Sequence, residues 1–146
     1  MVTIREFRST DVGEVAAMYK LMCIEVYPHR TFNKMQHFVD NVEYWHRNNY
    51  DIMVSEDKGE VTGFSMCYVD DMGGIVDDYY IAECLYIKPG YRKGRSAYLL
   101  IKQGERVAEA NSYMLSTYAS ENTEMSRLYD KRERYKVFTK YERDTK

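Results

Sequence analysis

Cysteine is scarce in this 146-residue chain, and the three that occur, Cys23, Cys67 and Cys84, are odd in number, far apart and form no Cys-x-x-Cys pair. That pattern excludes a disulfide framework and offers no zinc site, so reduced, buried thiols are expected. His29, His37 and His46 add nothing to a metal reading, because spacings of 8 and 9 make no two of them i, i+4 neighbours on a helix. Long apolar runs are missing too, which excludes a membrane-spanning helix. The segment Met1-Val2-Thr3-Ile4-Arg5 lacks the apolar stretch of a signal peptide, and the expectation is a protein that stays in the cytoplasm. Nor is there a basic excess. The formal net charge is −2, which argues against a general nucleic-acid binder. Lys131, Arg132, Arg134, Lys136 and Lys140 cluster, but Glu133, Glu142 and Asp144 interleave with them, so the cluster reads as a solvated face. Finally, no linker, repeat or low-complexity segment interrupts residues 1–146, and the length fits a single domain.

What is present is a soluble globular composition, 45% hydrophobic and 30% charged, with an unusual 15 tyrosines. Tyrosine combines large contact area with a polar tip, which suits a mixed core and a substrate pocket alike. The most informative stretch is residues 79–100. It opens with β-branched and aromatic residues, stops at Pro89-Gly90, passes through a basic turn and restarts as an apolar, helix-forming run. A strand-turn-helix of this kind aims backbone N–H groups and the positive end of a helix dipole just beyond the strand, where a phosphate or pyrophosphate can be held. Arg92, Lys93 and Arg95 would add mobile positive charge there.

Along the rest of the chain, residues 2–8 alternate as a strand. Asp11 with Glu14 forms a plausible capping box for a helix that ends near Tyr27-Pro28. A second helix is expected from about Asn33, with Met35, Phe38, Val42 and Trp45 on one face. Residues 51–56 and 60–69 read as an antiparallel hairpin turning at Asp57-Lys58-Gly59, followed by an acidic connection with Asp70, Asp71, Asp77 and Asp78. After the strand at 79–87 and a helix to about Ala110 come a strand at 112–118, a helix at 122–131 and a strand at 135–141. The βαβ unit should pair strands 79–87 and 112–118 in parallel.

The pattern Glu83-x-Leu85-Tyr86-Ile87-x-Pro89-x-Tyr91-Arg92, continued by Ala97 and Leu99-Leu100, resembles the acetyl-coenzyme A binding core of the GNAT superfamily of N-acetyltransferases. That family carries a Gln/Arg-x-x-Gly-x-Gly/Ala loop. Here it reads Arg92-Lys93-Gly94-Arg95-Ser96-Ala97, with Arg95 in the middle glycine's place. The element order β-α-α-β-β-β-α-β-α-β matches the family over nearly the whole chain. The resemblance implies an α/β (α+β) fold with a mixed sheet of six to seven strands, about four flanking helices, and fourth and fifth strands that splay apart around the cofactor's pantetheine arm. It further implies cofactor contacts at Leu85, Tyr86 and Ile87, a pyrophosphate cradle at residues 92–97, and a role for Asn122, from the match of Asn122-x-x-Met125-x-x-Leu128-Tyr129-x-Lys131 to a second family motif.

Glu83 interrupts an otherwise apolar strand, on the side of Ile81, Leu85 and Ile87 by the period of two. Apolar surroundings would raise its pKa and suit it to take a proton from an ammonium, as the family's glutamate at this position does; otherwise it faces solvent or pairs with a basic neighbour. Tyr129 matches the family's general acid. The acceptor would lie around residues 23–35, where Tyr27 and His29 occur, opposite Asp77 and Asp78, which either attract a cationic amine or form a solvated tip. The resulting expectation is direct transfer from acetyl-CoA to an amine of a small molecule or protein, with no metal, nucleic acid or membrane involved and a homodimer possible. The rival is a module of the same fold that binds acyl-CoA or a protein partner without transferring anything.

Overall fold

A computed structural model describes residues 1–75 and 78–117. Asp77, Asn122, Tyr129, the basic cluster, the helix expected at 122–131 and the strand expected at 135–141 lie outside the described residues. Within them the order is β1 (Val2–Glu6), α1 (Val12–Val26), α2 (Met35–Arg47), β2 (Asp51–Asp57), β3 (Glu60–Asp70), β4 (Tyr79–Ile87), α3 (Ser96–Ala110) and β5 (Met114–Thr117). The described part of the sheet has five strands in the order β1-β2-β3-β4-β5. The first three pairings are antiparallel and β4–β5 is parallel. Strand, helix and strand at 79–117 thus form the expected βαβ unit.

Local chemistry sets these boundaries. Lys58 and Gly59 turn the β2–β3 hairpin with positive φ of 53° and 79°, the twist a two-residue turn needs. Tyr27 leaves helical angles at φ −126°, as a residue before proline does. One face of the sheet packs Ile52, Val54, Phe64, Met66, Cys84 and Tyr86 against Val15 and Met18 of α1 and Phe38, Val42 and Trp45 of α2. The Tyr19 ring meets Trp45 edge-on at 4.9 Å and Phe38 at 5.4 Å, tying the two helices together. The opposite face carries α3, whose Leu100, Ile101 and Gly104 line a small apolar void of about 20 Å³ with Ser65, Cys67, Ala82, Cys84, Leu85 and Leu115.

Asp11 departs from the capping role expected of it. Its carboxylate takes both Arg5 Nη atoms, at 2.8 and 2.9 Å, and the Arg8 backbone N–H at 2.7 Å, while making no side-chain cap on α1. A bidentate pair with a guanidinium adds a full opposite charge to what backbone N–H groups offer a capping carboxylate, and Arg5 of β1 outcompetes the helix end. Glu14 instead reaches Lys88 at 2.9 Å.

Gly63 on β3 marks a close approach: a Cβ there would lie 2.6 Å from the Tyr86 carbonyl oxygen and 2.5 Å from Ile87 Cδ1. Gly63→Ala should therefore cost about 1–3 kcal/mol. Gly104, in α3 with nothing within 4 Å of its would-be Cβ, should behave oppositely, Gly104→Ala stabilising by about 0.5–1 kcal/mol. Denaturant titration checks both. The Arg5 guanidinium, with the Arg8 N–H, holds the Asp11 pKa below the ordinary carboxylate value. A depressed folded-state pKa gives stability that is present above the unfolded value of about 3.9 and lost as pH falls through the folded value. Asp11→Asn should lower stability near neutrality by about 2 kcal/mol and flatten its decline below about pH 4, as measured by thermal unfolding across pH.

Candidate functional site

The site is built on β4, and its first feature is an irregularity. Met66 of β3 pairs with Cys84 and Cys67 pairs with Ala82, so Glu83 is an extra residue in a β-bulge. Ile81 pairs with Tyr68, on the face of α1 and α2, whereas Leu85 pairs with Ser65, on the face of α3. The period of two therefore fails across Glu83, and the expected shared side with Ile81, Leu85 and Ile87 is corrected. Glu83 stays on the α1/α2 face, exposed, with its Oε2 accepting the Tyr68 hydroxyl at 3.4 Å. The expected apolar enclosure is corrected with it: the bulge lifts the carboxylate out of the packed rows on either side.

Around it stand Tyr19, Cys23 and Cys84. Burial, with the nearby Cys84, Cys23 and Glu83 groups, raises the Tyr19 pKa. Burial likewise raises the Cys23 thiol, despite an opposing hydrogen bond with Tyr19, and raises Cys84, helped by the Glu83 charge. Cys67, on the other face, is pushed up to about 12 mainly by burial. All three thiols stay protonated near neutral pH and are poor nucleophiles.

On its far edge β4 pairs over Tyr79–Ala82 with Met114–Thr117 of β5, where the described residues end. Among the described residues, Glu83–Ile87 has no strand partner on that side. This is the stretch at which the sequence implied an opening for an amide-bearing arm. The side chains of the expected contact residues are otherwise engaged. Tyr86 is buried in the core, its hydroxyl donating to Glu25 at 3.3 Å. Leu85 packs under α3. Ile87 is buried, and its carbonyl accepts from Arg92 Nε at 2.8 Å. Any contact to a ligand from these residues comes from backbone.

Beyond β4, Pro89–Tyr91 form a 3₁₀ turn and α3 starts at Ser96. The first N–H groups of a helix have no intrahelical acceptor, which at α3 leaves donors at the turn. Lys93, Gly94 and Arg95 are exposed around them. Arg95 sits at φ −94°, ψ −1°, a conformation open to any residue, so the loop does not require the glycine it replaces. Its guanidinium stacks over Tyr98 at 5.5 Å. Arg92 is not the mobile cation expected: its Nη2 bridges both Glu25 oxygens at 2.7 and 2.8 Å, and its guanidinium lies 5.3 Å over the Tyr86 ring. Ser96 points inward and is 1% exposed. Its backbone, with that of Ala97, remains at the helix start.

Tyr27 and His29 lie exposed just after α1, Tyr27 stacked with Arg30 at 5.0 Å. Cys23, one turn before Tyr27, neighbours Tyr19 and Cys84. Asp78 is exposed at the other end of β4, five residues and thus roughly 16 Å from Glu83. Its carbonyl accepts the Met114 N–H at 2.9 Å, and the Asp71 carboxylate is occupied by the Gly73 N–H at 3.0 Å. Sequence reasoning overlooked Tyr19, Tyr68 and Glu25; the one available signal was an acid, Glu25, inside the apolar run Leu21–Val26.

The profile of the acetyltransferase (GNAT) family matches residues 14–133, more than half of the chain. No curated protein matches significantly by sequence. Solved structures share the fold at low identity. A possible acetyltransferase from Clostridium difficile 630 superposes with a TM-score of 0.80 at 15% identity, covering 99% of this chain and 98% of that one. Ribosomal-protein-alanine N-acetyltransferase from Brucella melitensis biovar Abortus 2308 gives 0.79 at 15%, covering 99% of each chain. A predicted acetyltransferase from Clostridium acetobutylicum, solved with acetyl-CoA, gives 0.73 at 10%, covering 97% of this chain and 96% of that one.

The Arg92–Glu25 and Lys88–Glu14 pairs fasten α1 to the turn after β4, partly exposed to solvent. Glu25→Gln should cost about 0.2–1 kcal/mol at low salt and less at high salt, because exposed pairs are screened. A chemical-denaturation series at two ionic strengths measures it.

Proposed function

We propose, on the premise that this chain belongs to the acetyltransferase (GNAT) family, that it moves the acetyl group of acetyl-CoA directly to a primary amine of a small molecule or protein. The observation that carries this reading is the arrangement of β4: a carboxylate displayed by a bulge, on a strand that leads to the donors at the start of α3. These residues fit the cofactor by chemistry. A pyrophosphate meets the backbone N–H groups at residues 95–97 with Lys93 and Arg95 beside them, and an amide-bearing arm meets backbone groups of residues 83–87, as the family pattern implies.

When bound, acetyl-CoA supplies an activated acyl carbon, and the remaining work falls to side chains. Glu83 takes a proton from the acceptor ammonium, directly or through water, using the oxygen that Tyr68 does not engage. Its exposure lets solvent carry that proton away. Tyr129, in the role implied by its motif, returns a proton to the departing sulfur, and Asn122 contacts the cofactor arm. Tyr27 and His29 are assigned to the acceptor side, and the acidic residues Asp77 and Asp78 to the long-range attraction of a cationic acceptor. Direct transfer is favoured over an acyl-enzyme because Cys84, beside Glu83, and Cys23, next to Cys84, are held protonated by burial. A cytoplasmic setting belongs to the same reading and accords with the free thiols of Cys23, Cys67 and Cys84.

Calorimetric titration with acetyl-CoA, followed by thiol-release assays over a panel of amines, tests the proposal. Glu83→Gln should lower turnover by about 10²–10⁴ while leaving acetyl-CoA binding intact. Cys23→Ala should retain turnover within about twofold, since no bond to that sulfur forms. Unchanged turnover in the glutamine variant, or its loss in the alanine variant, contradicts the assignment.

A further inference from the structure

The turn between β4 and α3 is held from beneath by one residue that nothing above assigns to the site, Thr62. The β2–β3 ladder passes from Ser55 opposite Gly63 to Glu56 opposite Val61, so Thr62 is the extra residue of a second bulge. Freed from that ladder, it makes contacts at both ends of the turn. Its carbonyl accepts the Lys88 N–H at 2.9 Å, at the exit from β4. Its hydroxyl lies 3.1 Å from Ser96 Oγ, at the first residue of α3, and 2.8 Å from Ser55 Oγ. Ser55 and Thr62 are 0% exposed and Ser96 1%. A three-hydroxyl chain so deep in the molecule has no water to replace a lost partner, which makes each link costly to break.

We infer that Thr62 is a positioning residue for the cofactor, fixing the start of α3 relative to the end of β4 so that the phosphate donors and the strand address one ligand. The inference rests on the cofactor reading given above. The geometry explains the choice of residues. A threonine reaches Ser96 and Ser55 with one oxygen, and the adjoining Gly63 lets β3 approach the Tyr86 carbonyl closely enough for Lys88 to reach the Thr62 carbonyl. Valine would keep the shape and remove the oxygen, leaving the Ser55 and Ser96 hydroxyls buried without it. Serine would keep the oxygen.

The test compares Thr62→Val, Thr62→Ser and Val42→Ala. Val42 is buried between the sheet and α2, on the opposite face, and its truncation lowers stability without touching the turn. Two readouts are taken: coenzyme A affinity by calorimetry, and amide hydrogen exchange at Lys88, whose N–H bonds the Thr62 carbonyl, and at Gly94 and Leu99, whose N–H groups bond within the turn and first helical turn. Thr62→Val should weaken coenzyme A binding about tenfold and speed exchange at these amides by about the same factor, as expected for loss of one buried hydrogen bond. Thr62→Ser should restore both, and Val42→Ala should leave affinity near wild type. Wild-type affinity and exchange in Thr62→Val, or an equal loss of affinity in Val42→Ala, overturns the inference. If the unaltered protein binds no coenzyme A, the cofactor reading fails instead, and the exchange rates alone decide whether Thr62 holds the turn.

Discussion

The register between β3 and β4 is the constraint on which the site depends. A strand packed on both faces has a row of side chains committed to each side, and neither row has room for a carboxylate. The extra residue opposite Met66 and Cys67 resolves this at Glu83. It also reverses which face later residues occupy, sending Leu85 under α3 while Cys84 and Tyr86 face α1 and α2. Without the bulge, Glu83 would fall in the row that Leu85 and Ile87 occupy beneath α3. The carboxylate thus lies directly after the described β4–β5 pairing and before the turn that leads to α3.

The second determinant is how the turn after β4 is fixed. From the α1 side, Glu14 and Glu25 hold Lys88 and Arg92 through partly exposed ion pairs, worth little individually and sensitive to salt. From beneath, Thr62 and Ser96 join through buried hydroxyls. The buried links set geometry and the surface pairs neutralise two of the turn's cations, which leaves Lys93 and Arg95 as the basic side chains at the helix start. The proposed anion site would rely chiefly on backbone donors, and Arg95 at φ −94° fits the turn where the family pattern has glycine.

Much of this was legible in the sequence. Pro89-Gly90 and the change from strand-like to helix-like periodicity placed β4, the turn and α3 to within a residue or two, and Lys58-Gly59 gave the hairpin. Local rules sufficed there because the signals are local. The face of Glu83 was misread because a bulge depends on which β3 residue lies opposite, and alternation within one strand carries no such information. Asp11 was misread for a related reason: the competitor that draws its carboxylate off the helix cap, Arg5, lies on a different element. Arg92 looked like a free cation because its partner Glu25 is 67 residues away. Thr62 carried no signal beyond its position before a glycine.

The measurement that tests the central claim most directly is a crystal structure of the protein with coenzyme A. The expected result is a pyrophosphate at residues 93–97 and a pantetheine arm along residues 83–87 of β4, its sulfur directed toward Glu83 and the α1/α2 face. A coenzyme bound elsewhere, or one whose sulfur ends on the α3 side of the sheet away from Glu83, would contradict the assignment of β4 as the reaction surface.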